Sequence, residues 1–347
     1  MDFGGGDQIR FERHGVAGIV TLTRPTALNA LTHQMVRALS AALTAWADDV
    51  AVRVVILKAE GRAFCAGGDI MDVYRARQEG RRPTEFFADE YRLNAQINRF
   101  PKPYVSLIDG ICMGGGMGIS AHGSHRVMTE NAVFAMPEVG IGFFPDVGAS
   151  YVLPNLGGCF GIYLGLTGNK IGHGDALWSG IATHTVEAAY LPALVDEIAE
   201  SGDPGTELRE FFRAAPRKTD EAALHAIARH FSLGSLSDVV TSLERAADDD
   251  EFCAATLATL RSRSPTSLHV AFREMSIGST MSMDECMKME FRILHRMLES
   301  HDLYEGIRAA LVEKGSPPRW EPARLADVSA QVVDAFFAPL PGGDLAP

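Results

Sequence analysis

Short β-branched runs, each followed by a glycine-rich turn and then a helical pattern, recur through the first half of this chain and constrain its fold more than any other feature. Residues 16–22 read as a strand ended by Arg24-Pro25, and the compact run 52–58 reads as a buried strand. Between them, Thr32 stands where an N-cap would precede a helix with Met35, Leu39, Leu43 and Trp46 at helical spacing. The run 52–58 leads into Phe64-Cys65-Ala66-Gly67-Gly68-Asp69 and a short helix from Ile70. A second helical pattern over 84–99 is stopped by Pro101 and Pro103. The next strand, 104–108, leads into Ile111-Cys112-Met113-Gly114-Gly115-Gly116-Met117-Gly118, a short helix over 117–122 and a further strand at 126–129. Such alternation predicts α/β layers with partly parallel pairing. Beyond about residue 187 strand-like runs vanish, and Ala/Leu/Glu-rich helical stretches continue to about 313. Pro317, Pro318 and Pro322 break up the tail, and 339–347 reads as loose. The expected organisation is a core over 1–187 and a helical C-terminal region over 188–347.

A formal charge of −12 opposes non-specific nucleic-acid binding, while leaving room for a local basic patch around an anionic small molecule. No apolar run approaches the roughly 20 residues that cross a bilayer, so no membrane association is expected. The opening residues lack a basic start followed by an apolar stretch. Cys65, Cys112, Cys159, Cys253 and Cys286 are irregularly spaced and contain no CxxC pair, which favours neither a disulfide framework nor zinc and fits a reducing cytoplasm.

The glycine turns suggest chemistry. Without a Cβ, a ligand can approach the backbone N–H closely, so two such loops could aim two donors at one developing oxyanion. A third segment, residues 134–148, sets Glu138 and Asp146 among Met136, Val139, Ile141, Phe143 and Phe144. Apolar surroundings raise a carboxyl pKa and make it usable as a base or nucleophile near neutral pH. Either acid alone could merely satisfy amides in a tight loop. Two acids eight residues apart, with two glycine turns upstream, tilt the reading toward function. Glu90 shares a helical stripe with Phe86, Leu93 and Ile97, so it either reaches solvent at the edge of that face or turns into a pocket. Gly116-Met117-Gly118-Ile119-Ser120-Ala121 matches a dinucleotide fingerprint only weakly, because five residues separate the strand end at Ile108 from Gly114, the first glycine of the cluster. Ser120 misses the nucleophile-elbow pattern by its last glycine and reads as a small packing residue. His295 and His301 lack metal-binding spacing, and no metal is expected.

In these segments, with Ala27-Leu28-Asn29-Ala30-Leu31, Ser264-Pro265-Thr266-Ser267 and His301-Asp302-Leu303-Tyr304-Glu305-Gly306-Ile307-Arg308, the chain resembles the crotonase (enoyl-CoA hydratase/isomerase) superfamily, most of all its 3-hydroxyisobutyryl-CoA hydrolase branch. The resemblance implies an α/β fold: a crotonase-like spiral of ββα turns followed by a C-terminal helical region. It implies an acyl-CoA thioester as substrate, with CoA part of that substrate and no separate cofactor. Matched motif by motif, the amides of Gly68 and Gly115 would hold the thioester oxygen. Glu138 would be the principal catalytic carboxylate, Asp146 a second catalytic and substrate-binding acid, and Glu90 a substrate contact. Hydratases of the superfamily carry a catalytic glutamate at the position of Gly118; its absence here favours hydrolysis, with 3-hydroxyisobutyryl-CoA of valine degradation as the expected substrate. The rival readings are a hydratase or isomerase acting on another CoA ester, a nicotinamide-dependent oxidoreductase, and a non-catalytic CoA-ester-binding subunit. Arg24 and Lys314 are candidate phosphate contacts, and a homo-oligomer, trimer or pair of trimers, accords with the resemblance.

Overall fold

A computed structural model describes residues 1–347, which divide into two compact units. The first comprises Met1–Asp69, Glu85–Ala135 and Lys170–Lys218; the second comprises Ile70–Thr84, Met136–Asn169 and Thr219–Pro347. Each unit gathers three separate stretches of chain, so neither coincides with the expected division into 1–187 and 188–347. Along the sequence the units alternate, since residues 70–84 and 136–169 belong to the second.

All ten strands lie in the first unit: β1 (Ile9–His14), β2 (Ala17–Leu22), β3 (Val54–Ala59), β4 (Ala63–Cys65), β5 (Tyr104–Ile108), β6 (Ile111–Met113), β7 (His125–Met128), β8 (Val133–Ala135), β9 (Ile171–Gly172) and β10 (His184–Thr185). They form a six-stranded sheet in the order β1-β2-β3-β5-β7-β10 and a four-stranded sheet in the order β4-β6-β8-β9. The pairs β3/β4, β5/β6 and β7/β8 each give one strand to either sheet, so the chain winds as a spiral. Successive turns pair in parallel, as β3 with β5 and β4 with β6. Only β1/β2 and β8/β9 are antiparallel.

Period-two patterning explains the core of this unit. Ala17, Ile19, Val54, Ile56, Val105, Leu107 and Val127 line one sheet face, and Leu194, Val195 and Ile198 of the helix Leu191–Ser201 cover it. Thr32 caps the helix His33–Asp48 by accepting the Met35 N–H, and Met35, Leu39, Leu43 and Trp46 are all buried. Gly18 makes room for that helix: a Cβ there would lie 2.8 Å from the Trp46 ring.

The second unit contains no strand. Seven of its helices start on side-chain caps, with Asp220, Ser235, Asp250, Ser264, Ser282, Ser300 and Ser329 each accepting an N–H in the first turn. The motif beginning at Ser264-Pro265 is therefore a helix start, with proline in the first turn of Pro265–Gly278. The Ser264 hydroxyl also donates to Asp302 at 2.6 Å. Asp302 lies in the first turn of the helix His301–Ile307, which crosses the 138–142 segment backbone to backbone. A Cβ on Gly306 would lie 2.2 Å from the Ile141 carbonyl carbon, and one on Gly142 2.1 Å from the Asp302 oxygen. These contacts account for two glycines and an aspartate in motifs far apart in sequence. No helix is long and apolar enough to cross a membrane.

Candidate active site

In the first unit, strand pairing puts the two glycine turns side by side. β4 and β6 run parallel, with Cys65 opposite Cys112, so Gly67-Gly68 and Gly114-Gly115 leave the same end of the same sheet. Gly67 has φ +112° and Gly114 φ +48°, a region where a side chain is strained. Gly68 bridges to Leu31 through its neighbours: the Leu31 N–H donates to the Gly67 carbonyl, and the Asp69 N–H donates to the Leu31 carbonyl. The Gly68 amide takes no part in that bridge. Gly115 heads the one-turn helix Gly115–Gly118, where an amide has no intrahelical acceptor.

The Gly68 nitrogen lies 3.2 Å from where a Cβ on Gly115 would stand. An amide nitrogen is ~2.5 Å from its own Cβ position, which keeps the two nitrogens within ~6 Å of each other. Two N–H donors each ~2.9 Å from a shared oxygen satisfy that separation. Glu90 is buried, at 2% exposure, and its Oε1 lies 2.7 Å from the same Cβ position. Of the two alternatives open for Glu90, the structure shows the inward one.

Nearby nucleophile candidates are inert. The Ser120 hydroxyl donates to the Gly116 carbonyl at 2.7 Å. Burial raises the Cys65 thiol and pushes Cys112 up to about 12, so both stay protonated. Arg24 is ion-paired with Asp69 at 3.3 Å and also donates to the Ala30 carbonyl. Gly118 is buried and supplies no acid.

In the second unit, Pro137 leads into a 3-10 turn at Glu138–Ile141, closed by donation from Gly142 N–H to the Glu138 carbonyl. Glu138 is 7% exposed and its Oε2 accepts no hydrogen bond. Burial first, and then the charge of Asp146, holds its carboxyl well above the usual carboxylate range. Asp146 is also buried, at 5% exposure, and opens a tight turn whose Ala149 N–H donates to the Asp146 carbonyl at 3.0 Å. Lys314, the other cation considered, is exposed in this unit.

Two further buried carboxyls in the second unit escaped the sequence reading. Glu274 lies on Pro265–Gly278 and Glu290 on Met283–Met297, and both are fully buried. The signal was present, as it was for Glu90: Glu274 repeats at helical spacing with Ser267, Val270 and Ala271, and Glu290 with Met283, Cys286, Met287, Ile293 and Leu294.

A family model described as enoyl-CoA hydratase/isomerase matches residues 17–337. The chain belongs to that family. It is 41% identical over 352 residues to the 3-hydroxyisobutyryl-CoA hydrolase, mitochondrial, of Danio rerio, with 98% of this chain and 92% of the relative covered. With the probable 3-hydroxyisobutyryl-CoA hydrolase 3 of Arabidopsis thaliana it shares 39% identity, covering 95% and 91%. Among solved structures, a carnitinyl-CoA dehydratase from Mycobacterium thermoresistibile superposes with a TM-score of 0.92 at 37% identity, covering 97% and 98%. An enoyl-CoA hydratase from Rhodobacter sphaeroides 2.4.1 gives 0.90 at 37%, covering 98% and 99%. The crotonase fold expected from the family motifs is the fold observed.

Proposed function

We propose that this chain hydrolyses 3-hydroxyisobutyryl-CoA to 3-hydroxyisobutyrate and CoA. The observation that carries the reading is identity of about 40% along nearly the whole chain with family members named for that activity. Gly118 agrees with it, because adding water across a double bond needs water held between two acids and this position offers none.

In this mechanism the Gly68 and Gly115 amides polarise the thioester carbonyl and stabilise the oxyanion as it forms. Glu138, ionised, either attacks the carbonyl carbon to give an anhydride that water then opens, or takes a proton from attacking water. Both routes break the C–S bond, leave the sulfur as a CoA thiol and place water's oxygen in the free acid. A buried carboxyl with one unpartnered oxygen and a raised pKa suits either role. Asp146 and Glu90 accept hydrogen bonds from the substrate hydroxyl or position water. The reaction fits a step of valine breakdown. Its setting is a reducing cytoplasm, to which five free cysteines are suited, although the animal relatives are named mitochondrial. The assembly is a homo-oligomer, to be read by light scattering.

Thiol release from 3-hydroxyisobutyryl-CoA tests the proposal against loss of enoyl absorbance from a crotonyl-type ester. Turnover in the second assay and none in the first would make the chain a hydratase. Silence in both would make it a non-catalytic binder.

A further inference from the structure

Two helices of the second unit bury acids that the mechanism above does not use, and one of them holds the turn that carries Asp146. Both central residues of the Asp146–Ala149 turn have positive φ, +55° at Val147 and +86° at Gly148. That is type I′ geometry, which ordinarily takes Asn-Gly. A β-branched residue in the left-handed region is strained, at a cost of ~1–3 kcal/mol, and persists only where its surroundings over-determine it. One group that holds this turn is a buried carboxylate. Glu290 Oε2 accepts the Gly148 N–H at 2.9 Å, and Oε1 accepts the Ser150 N–H at 3.2 Å together with the Ser150 hydroxyl.

We propose that Glu290 is a positioning residue for hydrolysis: its carboxylate clamps the residue 147–150 backbone and thereby fixes the direction of Asp146. The clamp works through Asp146, not on substrate, and it rests on the hydrolase reading above. Its two oxygens accept from two amides and a hydroxyl, an arrangement that the ionised form satisfies best.

The groups acting on this clamp are themselves acids. Asp146 raises Glu290 electrostatically, and Glu274, on the neighbouring helix Pro265–Gly278, feels Glu290, Asp146 and Glu138. Cys286 lies on the same helix as Glu290 and stays protonated, while Asp334 on the packed helix Ala330–Phe337 is occupied by Arg273. Neither Glu274 oxygen accepts a hydrogen bond. Glu274 therefore holds its proton more firmly than Glu290, whose carboxylate has donors. Burial raises Glu290 to about 8 even against its donors, so the clamp tightens as pH rises through that value.

The test compares E290Q, S150A and E274Q with the wild type by thiol release and by backbone amide exchange of the 146–150 segment. A glutamine at 290 turns an N–H2 toward a donor, so E290Q is expected to lose kcat about tenfold or more, with KM little changed, because a misaligned acid harms the transition state. Exchange of the Gly148 and Ser150 amides should quicken, and the kcat–pH profile should lose its inflection near pH 8. S150A removes one donor without unpairing a buried charge, so it covers the case in which E290Q does not fold; it should move the same readouts in the same direction by a smaller factor. E274Q replaces a neutral acid with a neutral amide and should keep both kcat and the inflection. Wild-type kcat and exchange in E290Q would overturn the proposal, as would loss of the inflection in E274Q alone. A wild type that releases no thiol, with exchange still quickened in E290Q, would sink the hydrolase reading and leave the clamp standing.

Discussion

Replacing Gly115 with alanine is the sharpest probe of the donor pair, because the added methyl can be placed. Its carbon would stand 2.7 Å from Glu90 Oε1, 3.1 Å from Leu31 Cδ1 and 3.2 Å from the Gly68 nitrogen. All three distances are shorter than the ~3.5–4.0 Å at which heavy atoms rest comfortably. The Glu90 carboxyl must swing aside, and the two amides must spread by a few tenths of an ångström. Gly115 has no positive φ, so the backbone tolerates alanine. A helical Gly→Ala change gains up to ~1 kcal/mol, which offsets part of an overpacking cost of ~1–3 kcal/mol. Stability should therefore fall by no more than about 2 kcal/mol. Catalysis should suffer more: loss of one oxyanion donor costs about 100- to 1,000-fold in kcat, and G115A displaces one donor while moving Glu90. Gly116 is the matched control. A Cβ there would meet the Cys65 carbonyl oxygen at 2.3 Å, a clash with backbone, so G116A should show itself chiefly as a lower Tm. Thiol release and calorimetry on the two variants separate the effects. A folded G115A with kcat within about threefold of wild type would refute the assignment of the Gly115 amide to the thioester oxygen.

Further outcomes follow from the carboxyls. Glu138→Gln keeps shape and removes basicity, and kcat should drop at least about 100-fold in the thiol-release assay; near-normal turnover would move the chemistry to another group. Because Glu138 must be ionised to act and its folded pKa lies well above 4.5, kcat/KM should rise with pH across a limb displaced upward from the ordinary carboxylate range, and a limb centred near 4.5 would contradict this. Isobutyryl-CoA, lacking the hydroxyl, should be turned over far more slowly than 3-hydroxyisobutyryl-CoA, since acceptors meant for that hydroxyl are left unpaired; equal kcat/KM values would remove the hydroxyl-reading role of Asp146 and Glu90. Stability should fall as pH rises. Below about 4.5 both folded and unfolded chains hold the protons of Glu138, Glu274 and Glu290, whereas above it only the folded chain does, so each proton favours folding less as pH climbs toward the raised value. For Glu290 the window runs from 4.5 to about 8 and is worth on the order of 5 kcal/mol. Urea titrations of E274Q should show a weaker pH dependence than the wild type, and an unchanged slope would count against buried ionisation of Glu274.

Much of this was legible in the sequence, for reasons that differ by element. Strands β2, β3, β5 and β7 fall within two residues of where β-branched runs placed them, because strands buried on both faces write a continuous apolar signal. Edge strand β1 left a weaker trace: only Ile9 and Phe11 are buried among the exposed charges Arg10, Glu12 and Arg13. The two-residue strands β9 and β10 are too short to form a pattern at all. Helix Ala330–Phe337 was hidden behind three prolines, although Ser329 marks its start. In the site, the glycine turns announced themselves, but their adjacency depends on the pairing of β4 with β6, a contact between residues nearly fifty positions apart. Glu274 and Glu290 were passed over because a glutamate on a helix is commonly a solvated one. Nothing local to Met283–Met297 reveals that the Asp146 turn ends on Glu290.

Fold and chemistry separate cleanly in this family. The backbone superposes at TM-scores of 0.92 and 0.90 on proteins titled a dehydratase and a hydratase, while its similarly identical curated relatives are named hydrolases. In the proposed mechanism the spiral's two glycine turns stabilise negative charge on a thioester oxygen, a need common to acyl-CoA chemistry. What the reaction then does depends on where acids stand. At position 118 a glycine is buried in a helix of a single turn, so no side chain extends from it toward a double bond. A carboxylate installed by G118E is the decisive reverse experiment. If position 118 divides the two chemistries, the variant should gain measurable hydration of an enoyl-CoA ester while losing thiol release. A folded G118E that hydrates nothing would mean that the second acid of a hydratase must be accommodated by more of the surrounding chain than one side chain.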